Sequence, residues 1–230
     1  MLSLASVSAG YGGAMVNRAV SFDVRGGEIL TLIGRNGVGK STLARTIIGL
    51  QPLSFGTITF EGRDISRLDA RRRAQLGIGY VPQGRGIFSD MTVEENLRMG
   101  QRIGGGSRPL DYAFDLFPIL RERRKQLGGT LSGGQQQVLS IGRVLSGAPK
   151  ILLLDEPSDG IQPNIVEEIG ELCLRLNAEL RMPILLIEQN LDLITQCATR
   201  CLIMEKGAVS GTVDPSELDD PDVARRALGV

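Results

Sequence analysis

Glu28-Ile29-Leu30-Thr31-Leu32-Ile33-Gly34-Arg35-Asn36-Gly37-Val38-Gly39-Lys40-Ser41-Thr42 is the stretch whose reading decides the fold. The apolar run to Ile33 predicts a short buried strand, and Ser41 to Leu50 has helical character. Between them, Gly34 to Ser41 fits G-x-x-x-x-G-K-[ST]. Glycines at these positions let backbone N–H groups close around phosphate oxygens, and the following helix N-terminus adds partial positive charge. Lys40 is placed to reach the β and γ phosphates, and Ser41 to offer its hydroxyl to a magnesium ion. A strand before the loop and a helix after it are the context that separates this pattern from a ligand-free glycine turn.

Working outward, short apolar runs alternate with helical patterns, which predicts α/β architecture. Residues 2 to 8 and 16 to 24 read as strands, with Gly26-Gly27 turning into the strand before the glycine loop. Residues 56 to 60 read as a strand closed by Glu61-Gly62, and Ile78 to Pro82 as another. From about 84 to 145 strand patterns vanish. Thr92 and Glu95 form a capping box ahead of a helix running through Met99, and the glycine-rich stretch 104 to 109 is a loop. Strand patterns return at 151 to 154, 184 to 187 and 201 to 204. Gly207 turns into a last strand over Ala208 to Val213, and a terminal helix follows, with Arg225-Arg226 near its end to complement its dipole. The expected organisation is one domain over 1–230. Residues 1–83 and 146–230 form an α/β core with a β subdomain, and about 84–145 form an inserted helical subdomain.

Asp155 ends the apolar run Ile151 to Leu154, as a buried central strand would, and Glu156 follows it. A carboxylate at Asp155 suits a magnesium site, and Glu156 is placed as general base toward an attacking water. Without the glycine loop, the same pair would read as the solvated start of a loop.

The whole chain bounds the partners. Its 230 residues are enough to bury a full core. Lys plus Arg equals Asp plus Glu at 26 each, so no basic excess points to nucleic acid. No apolar run reaches the roughly 20 residues of a membrane span, and residues 1 to 9 carry no basic segment of a secretory signal. A cytosolic chain is the expectation. The three cysteines, Cys173, Cys197 and Cys201, match no zinc spacing and read as reduced thiols. There is no histidine.

Leu131-Ser132-Gly133-Gly134-Gln135 precedes a helical pattern over Gln136 to Leu145 and completes a constellation. Glycine loop, this pentapeptide and Asp155-Glu156, in that order, resemble the ATP-binding subunit of ABC transporters over nearly the whole chain. The resemblance implies a P-loop NTPase core, a RecA-like mixed sheet flanked by helices, with an antiparallel β subdomain and the helical insertion. It implies ATP and Mg²⁺ as ligands, with Ser41, Gln83 and Asp155 around the metal and Gln83 linking the γ-phosphate to the helical subdomain. It places Tyr11 against the adenine ring, the competing reading being a tyrosine packed at a strand end. It gives Leu131 to Gln135 to the nucleotide held by an opposite subunit, so that ATP joins two such chains and hydrolysis releases them.

Two departures stand out against that family. Gln189, in Ile187-Glu188-Gln189-Asn190, occupies the place of a switch histidine. Gln162, in Asp159-Gly160-Ile161-Gln162-Pro163, stands where relatives carry an aspartate. Glutamine can donate an N–H to a γ-phosphate but carries no titrating charge, so the expectation is retained sensing with slower hydrolysis. Pairing with a different, histidine-bearing ATPase and pairing with a second copy both stay open. The resemblance extends to importers of branched-chain (hydrophobic) amino acids. Gly34 to Lys40, the glutamines 135 to 137 and Asp159 to Pro163 look closest to the urea and short-amide branch. The basic run Arg123-Arg124-Lys125 ahead of the pentapeptide favours an importer over an exporter and reads as a solvated helix end. Such an importer implies two separate permease subunits, an external substrate-binding protein, and a place on the cytoplasmic face of the inner membrane. Gly86-Ile87-Phe88 and Met91 would meet the permease, a core role for Phe88 and Met91 being the alternative. Non-transport ABC proteins and a non-hydrolysing regulatory subunit are the competing functions.

Overall fold

Ile29–Ile33 (β3), Ile78–Val81 (β6), Ile151–Asp155 (β7), Ile184–Ile187 (β8) and Arg200–Glu205 (β9) build a parallel sheet in the order β9-β3-β8-β7-β6, and Ala208–Val213 (β10) adds antiparallel to β9. The coordinates are a computed structural model, and they describe residues 1–229. Every residue of β3, β7 and β8 is buried, which accounts for their unbroken apolar runs.

Alternate residues of these strands serve two separate cores. Ile29, Leu152, Leu154, Ile184 and Leu186 face helices Gly133–Ser146 (α6), Pro163–Leu180 (α7) and Leu191–Cys197 (α8). Leu30, Leu32, Leu153, Leu185 and Ile187 face the other way, toward helix Lys40–Ile47 (α1) and a second sheet. That sheet is antiparallel, in the order β2-β1-β4-β5, from Leu2–Tyr11 (β1), Ala14–Val24 (β2), Leu53–Phe60 (β4) and Arg63–Asp64 (β5). Its Leu2, Leu4, Ile58 and Phe60 complete the second core. Burying each such side chain contributes about 1.5–3 kcal/mol, so the strand period of two stabilises both layers at once.

Between β6 and β7 the chain is helical: Val93–Ile103 (α3), Leu110–Leu116 (α4), Pro118–Glu122 (α5) and α6. The predicted capping box is present at Thr92, whose side chain accepts from Glu95 N while Glu95 accepts from Thr92 N. A second box, Ser132 with Gln135, starts α6. The basic run is exposed, as expected of a solvated helix end, and Arg124 forms a surface pair with Glu94 at 2.8 Å. Helix Ala70–Leu76 (α2), before β6, has no counterpart in the sequence reading. The tail breaks in two, a 3-10 turn over Pro215–Asp219 and helix Pro221–Leu228 (α9), each capped by the aspartate before it. The three cysteines are free and buried. Among the described residues no helix is long and apolar enough to cross a membrane.

Candidate functional site

The parallel strands end on one edge of the sheet, and each candidate residue follows a strand end there. β3 runs into Gly34, β6 into Gln83, β7 into Glu156, and β8 into Glu188-Gln189. In open α/β sheets the carboxyl edge is where ligands sit.

The glycine loop is built for close approach. A β-carbon at Gly34 would fall 2.3 Å from Met204 O, and one at Gly39 would fall 2.7 Å from Asn17 Nδ2, with φ at 141° and 106°. Buried Asn17 on β2 donates to Gly39 O at 3.0 Å, bracing the loop from the antiparallel sheet. Lys40 starts α1 and is 4 % exposed. Its ammonium donates to Gly34 O at 2.6 Å and Arg35 O at 3.0 Å, folding into the loop. Burial lowers its pKa, against the opposing pull of Glu156, Asp155 and Glu188. Arg35, Asn36 and Gly37 are exposed, Val38 packs its side chain on the core, and Ser41 and Thr42 are half-buried in the first turn of α1.

Asp155 is 1 % exposed, and both its oxygens are held. Ser41 Oγ donates to Oδ1 at 3.0 Å, and Tyr80 OH to Oδ2 at 2.9 Å. Burial raises the Asp155 pKa, while Tyr80, Ser41 and Lys40 oppose the rise. The Tyr80 phenol is pushed up by burial and then by the Asp155 charge, so it stays a donor. Ser41 and Asp155 together present hard oxygen atoms, a donor set that fits Mg²⁺, an ion that keeps most of its waters and takes one or two protein ligands.

Glu156 leaves β7 in the left-handed region at φ 48°, a turn that costs a side-chain-bearing residue about 1–2 kcal/mol. Gln83 Nε2 donates to its Oε2 at 2.7 Å and Gln189 Nε2 to its Oε1 at 3.1 Å. Burial raises the Glu156 pKa, with Lys40 opposing. Gln83 also reaches Asp159 Oδ2 at 3.3 Å, and Gln189 reaches Asn36 Oδ1 at 2.5 Å. The two glutamines thus flank the carboxylate, and Gln189 ties it to the glycine loop. Glu188, 2 % exposed, accepts from Ser158 N with one oxygen and from Gln189 N and Asn190 N with the other, which locks the loop after β7 to the loop after β8.

Tyr11 ends β1 and is 47 % exposed, with its ring free to meet a ligand rather than packed in the core. Leu131 is buried under the helical layer, while Ser132, Gly133, Gly134 and Gln135 open on a groove of about 790 Å³ shared with Gly160, Ile161 and Gln162. No residue of the glycine loop lines that groove. The chain therefore brings Lys40, Ser41, Gln83, Asp155, Glu156 and Gln189 together and leaves 132–135 facing elsewhere. Tyr80, Asn17 and Glu188 escaped the sequence reading. A tyrosine one residue before a strand's end carries no local signal of the aspartate it meets, whereas the alternation of β6 could have assigned Tyr80 its side of the sheet.

The pattern of the family described as ABC transporter matches residues 17–159. The chain is 42 % identical over 212 residues to the high-affinity branched-chain amino acid transport ATP-binding protein BraG of Pseudomonas aeruginosa, covering 91 % of each. It is 34 % identical to the probable branched-chain amino acid transport ATP-binding protein LivF of Archaeoglobus fulgidus, covering 95 % of this chain and 94 % of that one. A nucleotide-free ATP-binding cassette from an ABC transporter superposes with TM-score 0.84 at 28 % identity, over 100 % of this chain and 99 % of the other. The ADP conformation of MJ1267, an ATP-binding cassette of an ABC transporter, does so with TM-score 0.83 at 29 % identity, over 98 % and 97 %. Sequence and fold agree, and the chain belongs to the ATP-binding cassettes of the ABC transporter family.

Proposed function

We propose that this chain hydrolyses ATP to power an importer of branched-chain, hydrophobic amino acids from the cytoplasmic face of the inner membrane. The observation that carries the chemistry is Glu156, held between Gln83 and Gln189 beside the Ser41–Asp155 pair. The substrate class rests on the transport named for BraG and LivF.

Backbone N–H groups of 34–41 and the α1 terminus hold the phosphates, and Lys40 turns from its loop carbonyls to the β and γ oxygens. Tyr11 stacks on the adenine. Ser41 and Asp155, with Gln83, would hold Mg²⁺, which would supply positive charge against the phosphates. Glu156 orients the attacking water and takes its proton, and Gln189 donates its amide N–H to the γ-phosphate. The Tyr80 hydroxyl keeps Asp155 aimed.

Ser132 to Gln135 serve the nucleotide of a second cassette subunit, since they open away from the chain's own phosphate loop. Binding closes the pair, and hydrolysis reopens it. Gln162 and Gln189 favour a partner with a different site over a second copy.

The permease docks on a groove of about 730 Å³ between α2, α3 and α6. Leu50, Phe88 and Ile103 are exposed there, and Arg71, Arg102 and Arg143 line it with no carboxylate among the lining residues. Arg143 stacks on Phe88 at 5.1 Å. An amphipathic helix with acidic side chains has the matching chemistry. Two cassettes take two permease subunits, which receive substrate from an external binding protein.

ATP hydrolysis by the purified chain, alone and as Glu156→Gln, tests the enzyme. Turnover that rises with protein concentration and disappears in the variant gives a working homodimer. ATP binding without turnover assigns the active pair to a different partner. Loss of ATP binding overturns the proposal.

A further inference from the structure

The turn after Gln83 is wound left-handed at three successive residues: Gly84 at φ 77°, Arg85 at 73° and Gly86 at 59°. Glycine adopts this freely, but at Arg85 it is strained. Helix α6 holds it there at three points. Ser140 Oγ donates to the Arg85 carbonyl. Arg85 Nη1 donates to Gln136 Oε1 at 3.1 Å. Its Nη2 lies against Gly133, where a β-carbon would stand only 2.7 Å away. Gln136 Nε2 in turn donates to Leu131 O at 3.1 Å. At the other end of the turn, Gln83 bonds Glu156 and Asp159.

We propose that Arg85 is a positioning residue that ties the nucleotide site of its own chain to the Leu131–Gln135 segment the same chain offers to a partner. The inference rests on the ATP-driven pairing proposed above. A ligand that draws Gln83 off Glu156 pulls on Arg85 through a single intervening residue, Gly84. Arg85 is clamped to α6 by backbone and side chain together, so Ser132 and Gly133 move with Gln83. Occupancy of one site is thereby read by the neighbouring subunit through the side chain and carbonyl of one residue. Coupling of this kind needs an element with two arrangements, and a strained left-handed residue between two glycines supplies one.

Arg85→Gly separates this role from a structural one, because glycine keeps the left-handed turn without strain and the Ser140 bond to the backbone carbonyl, and removes only the side-chain contacts to Gln136 and Gly133. In the Glu156→Gln background, ATP affinity of the dilute monomer is read with a fluorescent ATP analogue, and ATP-driven pairing by sedimentation. The expected result is unchanged monomer affinity, a thermal midpoint no lower than the parent, and a pairing midpoint in ATP raised about tenfold. The Hill coefficient falls toward one. Arg85→Lys, keeping one donor for Gln136, lies between. Pairing by Arg85→Gly at the parental midpoint overturns the inference, as does a loss that tracks a lowered thermal midpoint. A parent that binds ATP and fails to pair overturns self-pairing, and with it the inference as stated for two copies of this chain, before any Arg85 variant is compared.

Discussion

Gln189 donates its side-chain amide to Glu156 Oε1 across 3.1 Å, so the carboxylate placed as general base is held by a neutral group that cannot titrate. The chain has no histidine anywhere. Burial raises the Glu156 pKa, so the base is lost at a higher pH than for an ordinary glutamate. We expect kcat at saturating Mg-ATP to fall on the acid side in one step, at a pH above that of an ordinary glutamate. Gln189→His should add a second group titrating near ~6.5. Two acid steps already present in the parent would contradict this assignment.

Tyr80→Phe removes the hydroxyl that holds Asp155 Oδ2. The Asp155 carboxyl, already raised by burial, loses an opposing donor and rises further. A raised carboxyl keeps its proton longer in the folded chain than in the unfolded one. Its stabilising contribution is therefore full below the ordinary carboxyl range and lost as pH climbs through the folded value. For function, the Mg²⁺ concentration at half-maximal ATP binding should rise about 10-fold, as loss of an outer hydrogen bond to a metal ligand does. Titration of ATP binding with Mg²⁺ reads it, and an unchanged midpoint removes Tyr80 from the site.

Arg73 is the stability test. It is 2 % exposed, and its guanidinium donates to Leu68 O, Thr46 O, Ile47 O and Ser66 O at 2.7–3.0 Å. Two of these carbonyls end α1, so Arg73 caps the helix that begins at Lys40. Arg73→Ala should cost about 2–4 kcal/mol in urea unfolding, because several buried acceptors lose their donor together. Arg73→Lys should recover less than half, since an ammonium cannot fork among them. A cost below about 0.5 kcal/mol, the range of ordinary surface changes, would dismiss the cap.

Arg143→Glu reverses charge in the groove beside Phe88 without touching the nucleotide site. ATP hydrolysis by the isolated chain should hold within about twofold, while co-purification with the permease subunits falls by tenfold or more, as for a buried charge made repulsive. Retained co-purification would move the docking surface off this groove.

How far these residues could be read from the chain differs by kind. The glycine loop, the strand at 151 to 154, the capping box at Thr92 and Glu95, and the pair Asp155-Glu156 each announce themselves within a few neighbours. Helix α2 did not, because Ala70-Arg71-Arg72-Arg73-Ala74-Gln75-Leu76 has no apolar face to show a period. Its one buried side chain is an arginine.

The sequence by itself determined the glycine loop, the buried strands and the order in which the candidate site residues follow them, because backbone reach, side-chain alternation and glycine geometry act between neighbours in the chain. Tertiary structure alone decided that Tyr80 meets Asp155, that Gln83 and Gln189 close on Glu156 from different strands, that Glu188 locks two loops, and that Arg85 rests on Gly133. Those meetings depend on the strand order β9-β3-β8-β7-β6, which brings loop ends together across 30 to 75 residues of chain. No local pattern encodes that order. It is set by which faces can be buried together.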